Sequence, residues 1–287
     1  MFHRIAMGIV ALSLPASAGK LVVKLLDEQA SPAPARVYLT GTDGKAYTPD
    51  ATITYRRVRV SIAEAHFVPP AGAFEIDLPA GTYRIDIERG KEYLPVAETL
   101  AIPANGRTER TFRLRRWIRM SDRSWYSADM HPHRALREMA VLMEAEDLNV
   151  TLPITRWRTL RGIIEDRDLP RFLEKSDAMG IVAVSRHRWL AALNEELEPR
   201  YSALLVSRLG RKGTSLEYPL AGYGRAARDS GALADSEKAT SLQLPVVAAL
   251  GGCDFVGLAN NHFWRSGYYA EPWGAWPHRM LRSYPET

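Results

Sequence analysis

The chain has 287 residues, of which 46% are hydrophobic and 25% charged, with a formal net charge of +5. This is the balance of a folded globular protein, which excludes a disordered or fibrous chain, and the length suits two domains. Lys and Arg are scattered. The one local basic run, Arg113, Arg115, Arg116 and Arg119, reads as a solvated strand end and linker, so no nucleic-acid partner is expected.

Met1–Arg4 is a short basic start, Ile5–Leu14 an apolar run, and Ala16-Ser17-Ala18 supplies small residues with signal-peptidase spacing. Residues 1–18 therefore read as a signal peptide, and the run is too short to remain as a membrane span. The expectation is an exported protein, periplasmic or extracellular, with no stable membrane insertion. Cys253 is the only cysteine, so no intrachain disulfide can form, and its place at the start of an apolar stretch suits a small core residue.

From Lys20 to Arg115 short β-rich segments alternate with Gly and Pro turns. Phe74–Leu78 alternates apolar and polar, Pro79-Ala-Gly81 turns, and Tyr83, Ile85 and Ile87 then share one face. No helical periodicity interrupts, and His66 reads as a surface residue. The pattern predicts an all-β sandwich over residues 19–116. Pro79-Ala-Gly-Thr-Tyr83 resembles the turn and strand of carboxypeptidase-regulatory-like modules, which implies an accessory sandwich without chemistry of its own.

After Trp117 the pattern changes. Strands are predicted up to His131 and over Leu148–Ile154, Ile181–Ser185, Tyr201–Ser207 and Asp254–Ala259. Helices are predicted over Arg134–Glu146, Leu169–Met179 and Pro245–Leu250, with a helical turn at Ala191–Glu198 and a loop at Gly224–Gly231. Strands alternating with helices predict a parallel α/β barrel in residues 117–287, with its chemistry at the strand C-termini.

His131 and His133 fall at such a C-terminus, two residues apart, so an extended backbone presents both imidazoles on one face. Asp129 shares that face and can ligate or orient them. Glu146 and Asp147 follow the first helix, Glu237 lies in Asp235-Ser-Glu-Lys238, and His262 ends the last strand. Singly, Glu237 could pair with Lys238 or Arg228, and Asp147 could cap a turn. Jointly, a His, His, Glu, His set with carboxylate support suits a divalent metal, zinc or manganese, in a mononuclear or dinuclear site.

Asp129-Met-His-Pro-His-Arg134, Ala145-Glu-Asp-Leu148, Thr155-Arg-Trp157, Asp235-Ser-Glu-Lys238, Pro245–Gly251 and Asn261-His-Phe263 occur in this order. Together they resemble the blocks of the CehA/McbA-like metallohydrolases of the PHP (polymerase and histidinol phosphatase) superfamily, over about residues 120–265. The resemblance implies an exported hydrolase that directs metal-activated water at an ester, carbamate, amide or phosphoester of a small molecule. It implies His131, His133, Glu237 and His262 as metal ligands and Asp129, Glu146 and Asp147 as catalytic carboxylates. Glu195 or Glu196 could match a further carboxylate ligand, although the pair reads as a solvated helix face. Two departures stand against it. Arg156-Trp157 occupies the place of an Asp-His pair, and about five barrel strands precede Thr287 where seven are expected, so the barrel is expected to be incomplete. The alternative is a secreted, non-catalytic binding or structural protein with a degenerate PHP-like domain. In that case the aromatic stretch Trp264–Trp276 would offer a ligand surface or a loop over the barrel mouth.

Overall fold

The computed structural model describes residues 17–59, 62–198, 202–208, 219–237 and 243–257, with side chains 57–64 excepted. Residues 1–16 of the expected signal peptide, His262 and the aromatic stretch Trp264–Trp276 lie outside the described residues. The chain divides into two compact units. The first runs to Arg115, while residues 57–63 and 89–93 group with the second, which continues from Arg116.

Among the described residues up to Arg115 there are eight strands: β1 (Ala18–Leu26), β2 (Arg36–Gly41), β3 (Ile53–Arg59), β4 (Ile62–Val68), β5 (Ala73–Pro79), β6 (Gly81–Glu88), β7 (Val96–Ile102) and β8 (Arg107–Arg113). They form two sheets, in the orders β5-β1-β8 and β3-β4-β2-β6-β7. Period-two alternation turns Leu21, Val23 and Leu25 of β1 and Ile85 and Ile87 of β6 inward, all fully buried. Phe67 of one sheet meets Phe74 of the other edge to face, with ring centres 4.9 Å apart. At the Pro79–Gly81 turn the Tyr83 hydroxyl donates to the Pro79 carbonyl at 2.7 Å, which pins the turn to the strand that follows. Burial pushes the Tyr83 phenol up to about 12.

The second unit is not the predicted α/β barrel. It contains β9 (Ala128–Asp129), α1 (Leu136–Ala145), β10 (Val150–Thr151), β11 (Arg156–Thr159), β12 (Gly162–Glu165), α2 (Leu169–Leu173), β13 (Ile181–Ser185), β14 (Arg188–Ala191), β15 (Asn194–Glu198), β16 (Leu204–Ser207), α3 (Leu220–Asp229), β17 (Leu233–Ser236), α4 (Leu244–Ala249) and β18 (Phe255–Val256). These strands make two sheets, of four strands in the order β13-β14-β10-β9 and of six in the order β12-β11-β15-β16-β17-β18. A βα barrel requires every strand to run parallel to its neighbours. Here β11–β12 and β13–β14 are hairpins, and β16 lies antiparallel to both β15 and β17. Among the described residues the chain is predominantly β, and the strands do not close into a barrel.

The misreadings have local causes. Thr159-Leu-Arg-Gly162 is a tight reversal in which Gly162 takes φ +128°, and it sends Gly162–Glu165 straight back along β11. The predicted helical turn at Ala191–Glu198 is the end of β14 followed by β15, because the Asn194 amide bonds the carbonyls of Pro153 and Ala191 and holds the chain extended. The expected Gly224–Gly231 loop is mostly helix α3, since Gly224 packs so closely on Gly252 that a Cβ there would strike the Gly252 carbonyl oxygen.

Two apolar cores support the sheets. Leu136, Met139 and Met143 of α1 pack with Leu169 and Leu190. Leu220, Tyr223 and Ala227 of α3 pack with Leu204, Val206, Ala234 and Val247. Among the described residues no helix is long and apolar enough to cross a membrane. Met143→Ala should cost about 2–5 kcal/mol, because a fully buried side chain leaves a cavity that its neighbours only partly fill. Urea unfolding of the purified protein measures this, and a loss below 1 kcal/mol would mean that the α1 core is not packed as described.

Candidate metal centre

The His131-Pro-His133 segment leaves the C-terminal end of β9, which pairs with β10 through Asp129 and Thr151. Thr151 Oγ1 and the Leu152 amide both donate to the Asp129 carbonyl at 3.0 Å. Pro132 fixes its own φ and disfavours helix at His131, which keeps the segment extended. The Asp129 carboxylate accepts the His131 backbone N–H at 3.0 Å. It therefore shapes the backbone that carries the two imidazoles.

The rings converge. His131 Nε2 and His133 Nε2 are 2.9 Å apart. Glu196 Oε2 lies 3.3 Å from the first and 2.9 Å from the second. On the far side of the His131 ring, Nδ1 is 2.6 Å from Glu237 Oε2. Glu196 and Glu237 are almost fully buried, at 2% and 3% exposure. Burial alone would lower the His131 pKa, but its hydrogen bonds with Glu196 and Glu237 outweigh that and push it up to about 10. Burial likewise works to raise Glu196, and the two histidines instead bring it down to about 2.

The backbone explains why these groups meet. Trp157 of β11 is level with Glu196 of β15, Glu196 with Leu205 of β16, and Leu205 with Asp235 of β17. Paired residues point to the same side of a sheet, so Trp157, Glu196 and Asp235 share one face. Trp157 meets His133 edge-on with centroids 4.9 Å apart, and its indole N–H donates to Glu198 at 3.1 Å. The Asp235 carboxyl is pushed up by burial and then by the neighbouring Glu237. At Gly257 any Cβ would lie 2.6 Å from the Glu237 carbonyl oxygen, so the glycine allows β18 to close against the end of β17.

Of the residues expected from sequence, the structure brings together His131, His133 and Glu237, with Asp129 beneath them. Glu146 caps the C-terminal end of α1. Asp147 is engaged by Arg116 at 2.7 Å and Arg188 at 3.1 Å. Arg116 also pairs with Glu92 at 2.5 Å and lies over the Tyr93 ring. Gly90 fits against the Glu146 backbone and the Asp147 side chain, where a Cβ would strike the Glu146 carbonyl oxygen. Asp147 thus fastens segment 89–93 to the end of α1.

Glu196 is the residue that helical reasoning set aside. Period-two reading of Asn194–Glu198 separates it from Glu195, whose carboxylate turns the other way, to Arg158 at 2.8 Å and Arg156 at 3.5 Å. The chemistry of the His131, His133 and Glu196 atoms suits a divalent cation, since two imidazoles and a carboxylate are a recurrent zinc donor set. Bonds of 2.0–2.2 Å put tetrahedral ligand atoms roughly 3.3 Å apart. The observed edges of 2.9, 2.9 and 3.3 Å need to open by only a few tenths of an ångström.

No family model matches this sequence, and no curated protein matches it. Among solved structures, the chain is similar to the minor pilin GBS52 of Streptococcus agalactiae (17% identity, TM-score 0.28, 36% of this chain and 46% of that one). It is also similar to the major pilin subunit of Bacillus cereus (16% identity, TM-score 0.25, 34% and 30%). A third similarity is to a DUF3823 family protein from Parabacteroides merdae (18% identity, TM-score 0.23, 36% and 48%). This chain spans less than half the length of each, and likenesses at this level assign neither fold nor function.

Removing Asp147 leaves Arg116 and Arg188, both largely buried, without that partner. Asp147→Ala should cost about 3–5 kcal/mol in chemical denaturation, while the folded fraction keeps its metal stoichiometry. Loss of metal at unchanged stability would instead make Asp147 part of the site.

Proposed function

We propose that this protein is an exported metal-dependent hydrolase acting on a small-molecule ester, carbamate, amide or phosphoester. The convergence of His131 Nε2, His133 Nε2 and Glu196 Oε2 carries this reading. The ordered motif blocks that resemble the CehA/McbA-like metallohydrolases support it, and the N-terminal pattern of residues 1–18 supports export. The reading rests on the site and not on a barrel.

His131, His133 and Glu196 would hold the ion, with His262 as the candidate further ligand that the resemblance implies. Zinc suits the mixed nitrogen and oxygen donors, and manganese is the second choice. When bound, the cation would supply Lewis acidity, lowering the pKa of water and polarising the scissile group. The protein's own part is to hold the donors. Asp129 fixes the extended backbone, Trp157 backs the His133 ring, and buried Glu196 contributes the negative charge that draws a cation. Asp235, on the same sheet face as Glu196 and electrostatically coupled to Glu237 and His131, is a candidate for proton transfer. Beside Trp157, an open groove of about 550 Å³, lined also by Thr159, Ile164 and Glu198, is large enough for a small substrate.

Elemental analysis of the purified protein should find about one equivalent of zinc or manganese. The His131→Ala/His133→Ala double variant should contain none and should hydrolyse no ester or phosphoester that the parent cleaves. Full metal occupancy in the double variant would rule this site out. A metal-free parent that resists reconstitution would favour the non-catalytic binding protein.

A further inference from the structure

We infer that Glu237 governs the metal centre from behind, as a positioning residue acting through His131, and is not itself a ligand. This rests on the metal-site reading above, and it departs from the ligand role that the sequence resemblance implies for Glu237. The carboxylate oxygen stands 2.6 Å from His131 Nδ1, whereas Glu196 and His133 face Nε2, the opposite nitrogen of the same ring. One imidazole cannot direct both nitrogens at a single ion. A carboxylate accepting the Nδ1–H bond fixes the tautomer, leaves the Nε2 lone pair for the cation and stops the ring from rotating.

The surroundings are built for this. Glu237 follows the end of β17 and is 3% exposed, so solvent offers its carboxylate little competition. The Gly257 N–H donates to the Ser236 carbonyl at 3.1 Å, and Gly257 lies flush against the Glu237 backbone. The carboxylate is therefore aimed by a strand end that is closed on one side by glycine. Each imidazole has its own support, a carboxylate for His131 and the Trp157 edge for His133.

The test compares wild type, Glu237→Ala and Glu237→Gln by chelator competition for zinc and by the visible spectrum of the cobalt(II) form. The glutamine carbonyl still accepts the Nδ1–H bond, so it should hold the zinc Kd within about 3-fold of wild type. Alanine should weaken it by about 10–100-fold with the stoichiometry kept at saturation and the cobalt band unmoved. Equal losses in both variants with a shifted cobalt band would make Glu237 a ligand and overturn the inference. A wild-type Kd in Glu237→Ala would remove the positioning role while leaving the metal site standing. A wild type that binds no zinc would remove both. Should the alanine variant fail to fold, ¹⁵N shifts of the zinc-loaded wild type decide: His131 should show a protonated Nδ1 and a metal-bound Nε2, and the reverse assignment overturns the inference.

Discussion

Glu195 and Glu196 are consecutive, both almost completely buried, and a strand sends them to opposite faces of the six-stranded sheet. A buried carboxylate is tolerated only where a cation or several donors meet it. Each face of the unit therefore has to supply its own partner. Arg156 and Arg158 of the neighbouring strand answer Glu195, and His131 and His133 answer Glu196. Much of the second unit's arrangement follows from that demand, including the parallel pairing of β11 with β15 and the turn of the His131–His133 segment toward the sheet.

The two faces use their charge differently. On one face Arg158 hydrogen-bonds Glu195 and Arg156 pairs with it, and the buried Tyr223 phenol of α3, raised first by burial and then by Glu195, stays neutral beside them. That cluster is a structural joint. On the other face the partners are imidazoles, which exchange a proton for a cation readily. His131 meets a carboxylate at each ring nitrogen, Glu237 at Nδ1 and Glu196 at Nε2, and a divalent ion would take the place of the Nε2 proton with little movement of the donors. The same geometry thus forms an internal ion pair and, on the proposed reading, would hold a cation.

Much of the local structure was legible. The alternation in Phe74–Glu88 gives β5 and β6, the 3.6-residue spacing of Leu136, Met139 and Met143 gives α1, and Asp129-Met-His-Pro-His133 gives the paired imidazoles. What misled was strand direction. Periodicity places a strand at Tyr201–Ser207 but carries no sign for its orientation, so it cannot distinguish the observed antiparallel β16 from a parallel barrel strand. Charge was misleading too: Asn194-Glu-Glu-Leu-Glu198 looks like a solvated helix face because its acidic residues are buried only by partners distant in sequence.

The sequence by itself determined the alternating strands β5 and β6, helix α1 and the paired imidazoles of His131 and His133, because each depends on residues within a few positions of one another. Tertiary structure alone decided which carboxylates reach the histidines. Asp147, in a motif that reads as catalytic, is held by Arg116 and Arg188, while Glu196 and Glu237 arrive from strands 65 and 106 residues beyond His131 in the numbering. The reason is physical. Register across β11, β15, β16 and β17 depends on hydrogen bonds and burial summed over the whole sheet, and no local pattern encodes that sum.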